Sequence, residues 1–176
     1  MTTVVNIFGG SGIGKSTTAA HLFVEMKMKG IHCELVREYV KAWAWRGEKV
    51  GPFDQIYLLG KQARYESTLY GRVDYIITDS PLLLCPMYEK FYGDTEVIKE
   101  SALNFIKDAD KKGVRHLNFL LTRQHAFDPR GRFETAEGAV KVDKAIKDFL
   151  TQNDVNFVEI QSTGYERAPE ILKHLV

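Results

Sequence analysis

Residues 9 to 17 read Gly9-Gly10-Ser11-Gly12-Ile13-Gly14-Lys15-Ser16-Thr17, a complete G-x-x-x-x-G-K-[ST] sequence. The apolar run Val4-Val5-Asn6-Ile7-Phe8 precedes it and Thr18-Ala19-Ala20-His21-Leu22 follows. Strand, glycine turn and helix start are therefore in register, which is the context a phosphate-binding loop needs. Glycines let consecutive backbone N–H groups turn inward onto phosphate oxygens, and the helix N-terminus adds partial positive charge. Lys15 is the residue type that neutralises β- and γ-phosphates, and the Ser16 hydroxyl is a magnesium ligand in such loops. The expected ligand is a nucleoside triphosphate with magnesium.

Further residues with chemical potential fall at the ends of apolar runs. Asp79 closes Tyr75-Ile76-Ile77-Thr78, so its carboxylate is a candidate for holding magnesium or accepting a proton from an attacking hydroxyl. Glu38 follows a short run ending at Val36 and is the second candidate base, with Arg37 beside it to orient it or grip an anionic acceptor. The sequence leaves open which of the two carboxylates is the base. Residues 123–138 form a long polar stretch carrying Arg123, Arg130 and Arg132. A connector of that length predicts a lid whose arginines stabilise charge on a moving phosphoryl group. Trp43 and Trp45 are two apart and cannot share a helical face, so Trp43 is a candidate to stack on a base. Gln55 and Gln62 are candidates to hydrogen-bond an acceptor.

The elements that must position these groups alternate. Helices are expected over Lys15–Lys29, from Pro52 to about Tyr70, over Glu96–Lys112 and over Ala139–Asn153. Ile56, Leu59, Ala63 and Leu69 are expected to face the core from the second of these. Thr163-x-x-Glu166 reads as a capping box for a last helix to Leu175. Strands are expected at the N-terminus, over Ile31–Val36, Tyr75–Thr78, His116–Thr122 and Val155–Ile160. Tyr39–Gly51 reads as a helical turn plus loop. The fold class is thus α/β: one domain over 1–176, with a five-stranded parallel sheet covered by helices on both faces. Ligands in such sheets bind beyond the carboxyl ends of the strands, where the polar candidates gather.

Composition narrows the class. A formal charge of +1 gives no sign of a broadly basic nucleic-acid binder, and Cys33 and Cys85 have no metal-ligand spacing. No apolar stretch approaches a membrane span, and the first strand begins at the N-terminus, so no membrane partner is expected and the expected location is cytoplasmic. No Asn-Lys-x-Asp motif follows the late strand, which argues against a GTP switch, and there is little room for the extra helical domain of a ring ATPase.

In their order, the loop Gly9–Thr17, Val36-Arg37-Glu38-Tyr39-Val40, Asp54-Gln55-Ile56-Tyr57, Asp79 and Phe119-Leu120-Leu121 resemble the NadR-like P-loop kinases of AAA_28 type, over nearly the whole chain. The runs Tyr57-Leu58-Leu59-Gly60-Lys61-Gln62 and Ile77-Thr78-Asp79-Ser80-Pro81 look most like the versions carried by tailed bacteriophages, some of which are 5-hydroxymethyluridine DNA kinases. The resemblance implies ATP and Mg2+, transfer of the γ-phosphoryl group to a hydroxyl, and modified-base DNA as the acceptor, in the host cytoplasm if phage-encoded. A free nucleoside, of the nicotinamide riboside or deoxynucleoside type, is the alternative acceptor.

Overall fold

The computed structural model describes residues 1–51, 53–124 and 135–175. Five parallel strands form one sheet: β1 (Thr2–Phe8), β2 (Cys33–Val36), β3 (Tyr75–Thr78), β4 (Val114–Leu121) and β5 (Val158–Ile160), in the order β2-β3-β1-β4-β5. The helices are α1 (Lys15–Met28), α2 (Lys41–Arg46), α3 (Asp54–Ser67), α4 (Leu84–Gly93), α5 (Lys99–Lys111), α6 (Ala136–Gln152) and α7 (Arg167–Leu172). The expected α/β class and five-stranded parallel sheet are both present.

Strand β1 lies at the centre, and its apolar residues are buried on both faces because helices cover both. Val5 and Ile7 pack with Leu22 and Met26 of α1 and Ile171 of α7. Phe8, one step out of phase, packs on the other face with Met87 of α4 and Ile146 and Leu150 of α6. This period-two division places the loop after Phe8 at the middle of the sheet's carboxyl edge.

Several expectations are corrected. Helix α3 buries Gln55, Leu58, Gln62 and Glu66, while Ile56 is 47% exposed. Its inner face is polar because it meets polar groups: Gln62 Nε2 donates to Thr78 Oγ1, and the Tyr70 hydroxyl donates to Glu66. The Thr163–Glu166 capping box does not form. The Thr163 side chain makes no cap bond; Gly164–Glu166 is a 3-10 turn, and α7 begins at Arg167, with Glu170 accepting the Ser162 N–H at 3.1 Å instead. Helix α4 lies where no element was expected, and it contains Pro86. The proline sits in the first turn, where a backbone N–H has no intrahelical partner to lose. Helix α6 starts at Ala136, capped by the Thr135 hydroxyl on Gly138 N–H, so the end of the expected lid segment is helical. Pro52 and residues 125–134, with Arg130 and Arg132, lie outside the described residues.

Candidate active site

The glycine loop is shaped by contacts that only glycine permits. Gly9 has φ 147°, and a Cβ there would stand 2.7 Å from Ile13 Cγ2. Gly14 is the left-handed residue that opens α1, with φ 105°. Lys15 Nζ donates to Gly9 O at 2.7 Å and Gly10 O at 3.1 Å, so the ammonium is curled over the mouth of the loop. The outer side of the loop is held from the far half of the chain. Gly10 N–H donates to Asp143 Oδ1 at 2.7 Å, Arg123 Nη2 donates to Ser11 O at 2.8 Å, and Arg167 Nη1 donates to Ile13 O at 2.5 Å.

On its inner side the loop opens into a cavity of about 480 Å³. Lys15, Ser16 and Thr17 form one wall. Leu58, Leu84 and Cys85 supply apolar surface opposite, and Glu38, Gln55 and Gln62 supply polar groups. Burial and the nearby Glu38 carboxylate push the Cys85 thiol up to about 12, so it is a neutral wall group and not a nucleophile. Gln62 is 2% exposed, and its Oε1 has no hydrogen-bond partner among the described residues. Asp79, 4% exposed at the end of β3, accepts the backbone N–H of Glu38 at 2.9 Å.

The family model of the AAA domain designated AAA_28 matches residues 4–168. The chain belongs to that family. No curated protein matches the AAA_28 chain in sequence. Solved structures do match it in shape. Deoxyadenosine kinase from M. mycoides with bound dATP aligns at 20% identity and TM-score 0.60, covering 98% of each chain. NadR protein in complex with NR aligns at 15% identity and TM-score 0.73, covering 99% of this chain and 50% of that one. The APS kinase CysC of Mycobacterium tuberculosis aligns at 14% identity and TM-score 0.56, covering 99% and 96%. The AAA_28 chain therefore has the P-loop kinase fold.

Within this AAA_28 domain the expected site residues separate into groups. Loop residues Ser11, Gly12, Gly14, Lys15, Ser16 and Thr17 line the cavity, as do Glu38, Gln55 and Gln62. Gly9, Gly10 and Ile13 shape the loop from behind. Asp79 stands behind Glu38 and outside the lining. Arg37 is exposed and outside it as well. Trp43 stacks on Tyr57, with centroids 6.2 Å apart and planes at 21°, and meets the edge of Tyr39. Its ring is committed to that aromatic group and does not line the cavity. Arg123 also lies off the cavity: its guanidinium is paired with Asp143 and bonded to Ser11 O.

Sequence reasoning missed Asp143, Arg167 and a buried polar group on α3. Asp143 sits in a helix of ordinary amphipathic pattern, and nothing in that pattern marks it. Arg167 follows Gln161-Ser162-Thr163, a stretch recognisable as lying past the last strand, which was the available signal. Glu66 is fully buried, with its pKa pushed up by burial to about 7, and His116 is pushed down by burial to about 4. Their 3.9 Å contact is thus one between neutral groups from about pH 4 to 7, not an ion pair.

Proposed function

We propose that this chain is a magnesium-dependent kinase that transfers the γ-phosphoryl group of ATP to a hydroxyl of a nucleoside-like acceptor. One observation carries this reading: the phosphate loop opens directly into an apolar-walled cavity of about 480 Å³ that also presents Glu38 and two buried glutamines. That volume lies within the range of small-molecule sites, and the polar groups are few enough to orient one ligand.

In this reading Lys15 leaves its two carbonyl partners and neutralises the β- and γ-phosphates, while the loop amides hold the remaining oxygens. The Ser16 hydroxyl and the Asp79 carboxylate are oxygen donors of the kind magnesium prefers and would hold it. Bound there, the ion would neutralise charge on the phosphates. Glu38 takes the acceptor's proton as its oxygen bonds to phosphorus and the bond to the bridging oxygen breaks, leaving ADP. What supports giving Glu38 the proton and Asp79 the metal is position: Glu38 lines the cavity, and Asp79 supports it from behind. Arg123 then acts on the loop's shape, and Arg130 and Arg132 remain the candidates for closing over the phosphates. Catalysis in such a site comes from alignment and charge neutralisation.

For the acceptor, the likeness of the motifs to phage enzymes favours 5-hydroxymethyluridine carried in DNA, as in thymidine hypermodification. A second reading, a free nucleoside such as nicotinamide riboside or a deoxynucleoside, is favoured by the apolar cavity and by the fold shared with deoxyadenosine kinase and NadR. The deciding experiment offers γ-labelled ATP and magnesium with hydroxymethyluracil DNA, unmodified DNA and a panel of nucleosides. Label on the modified DNA alone supports the first acceptor, and label on a nucleoside the second. Hydrolysis of ATP with every acceptor unlabelled would overturn the kinase reading in favour of a nucleotide-driven switch or motor.

A further inference from the structure

A phosphate loop must aim its amides inward, which turns some of its carbonyls outward, and outward carbonyls inside a protein need donors. Two arginines supply them. Arg123 serves Ser11 O at 2.8 Å and Arg167 serves Ile13 O at 2.5 Å. They differ in how their charge is met. Arg123 is paired with the Asp143 carboxylate. Arg167 is 2% exposed, and its three acceptors among the described residues are all main-chain carbonyls: Ile13 O, Thr122 O at 2.7 Å and Ser162 O at 3.1 Å.

A buried guanidinium with no acid beside it among the described residues is costly in isolation. Burial and the neighbouring Arg123 both depress its pKa. Each of its three nitrogens is nonetheless used, because Nε, Nη1 and Nη2 reach three different segments: the stretch after β5, the phosphate loop and the end of β4, respectively. Only a planar fork makes those three bonds at once. The loop is cut to admit it: a Cβ on Gly14 would stand 2.8 Å from Arg167 Nη1.

We propose that Arg167 is a positioning residue of the phosphate loop, holding the Ile13 carbonyl outward so that the amides stay aimed at a triphosphate, and standing as a positive charge behind them. This rests on the nucleotide-binding reading above and extends it to a residue that does not line the cavity.

The test measures binding of MgATP and of magnesium tripolyphosphate by calorimetry to the wild type, Arg167→Lys and Arg167→Met, with melting curves taken without ligand. Folded Arg167→Met is expected to lose at least about tenfold in affinity for both ligands, the scale of one charge-assisted hydrogen bond. Arg167→Lys is expected to recover part of that loss by restoring charge without the fork. Unchanged affinity in a folded variant would overturn the proposal. Failure of both variants to fold would overturn it too, by making Arg167 a piece of the core. Failure of the wild type to bind MgATP would instead remove the nucleotide reading itself.

Discussion

The carboxylate of Asp79 accepts the backbone N–H of Glu38 at 2.9 Å, tying the residue after β3 to the chain leaving β2. One side chain thereby fixes where the other starts. Asp79→Asn preserves an acceptor for that N–H and removes the charge. We expect it to lower kcat by at least about 100-fold with little change in melting temperature, because in the proposed role a neutral amide would not supply the negative charge that a carboxylate offers to magnesium. Near-wild-type turnover would assign Asp79 to support of Glu38 alone.

Lys15→Ala is expected to keep the fold and lose phosphoryl transfer by a factor of at least about 100. Among the described residues its ammonium bonds Gly9 O and Gly10 O alone, so little packing depends on it. Circular dichroism with the labelled-ATP assay separates the two effects, and full activity in this variant would remove the assignment.

Two glycines give opposite forecasts. A Cβ on Gly10 would meet Asp143 Oδ1 at 2.4 Å and Ala139 O at 3.0 Å, so Gly10→Ala should push α6 off the loop and weaken MgATP binding. Gly60, inside α3, has nothing within 4 Å of its would-be Cβ. Gly60→Ala should therefore stabilise the protein by about 0.5–1 kcal/mol in urea unfolding and leave binding unchanged.

The buried Glu66 and His116 should tilt stability in opposite directions with pH. The Glu66 pKa rises on folding from 4.5 to about 7, so the folded state holds a proton that the unfolded state releases, and stability is lost as pH rises across that interval. The His116 pKa falls on folding from 6.5 to about 4, so stability is lost as pH falls across that interval. Between pH 4.5 and 6.5 the two contributions run against each other. Relative to wild type, Glu66→Gln should gain stability with rising pH by about 1.4 kcal/mol per unit, and His116→Gln should gain with falling pH by about the same. Denaturant unfolding at several pH values measures both slopes; a difference from wild type that ignores pH in either variant would contradict the neutral burial of that group.

What was legible from sequence followed from period and local chemistry. Val4–Phe8 with the loop behind it, Tyr75–Thr78 with Asp79 at its end, and the α/β alternation all follow from neighbours in the chain. Glu38, Gln55 and Gln62 were found as polar residues near strand ends or on α3, and they do line the cavity. Leu59 and Leu69 do pack against the core as expected, but Ile56 is exposed, because apolar periodicity presumes an apolar partner and Gln62 instead meets Thr78. The stacking of Trp43 on Tyr57 carried no sequence signal, because the two rings come from different helices. Asp143 carried no signal for the same reason, and Arg167 only its place just past the last strand: their roles exist where β4, α6 and α7 come back to the loop.

Those long returns bear on the order of events during synthesis. Gly10 meets Asp143 across 133 residues, and Ile13 meets Arg167 across 154. A ribosome extrudes the nucleotide motif early, yet the groups that brace it leave the exit tunnel long afterward. Contacts so distant along the chain form late, after the loops between them have closed. A nascent chain carrying the whole motif is therefore expected to be a poor competitor for cellular ATP, gaining its grip only as α7 docks.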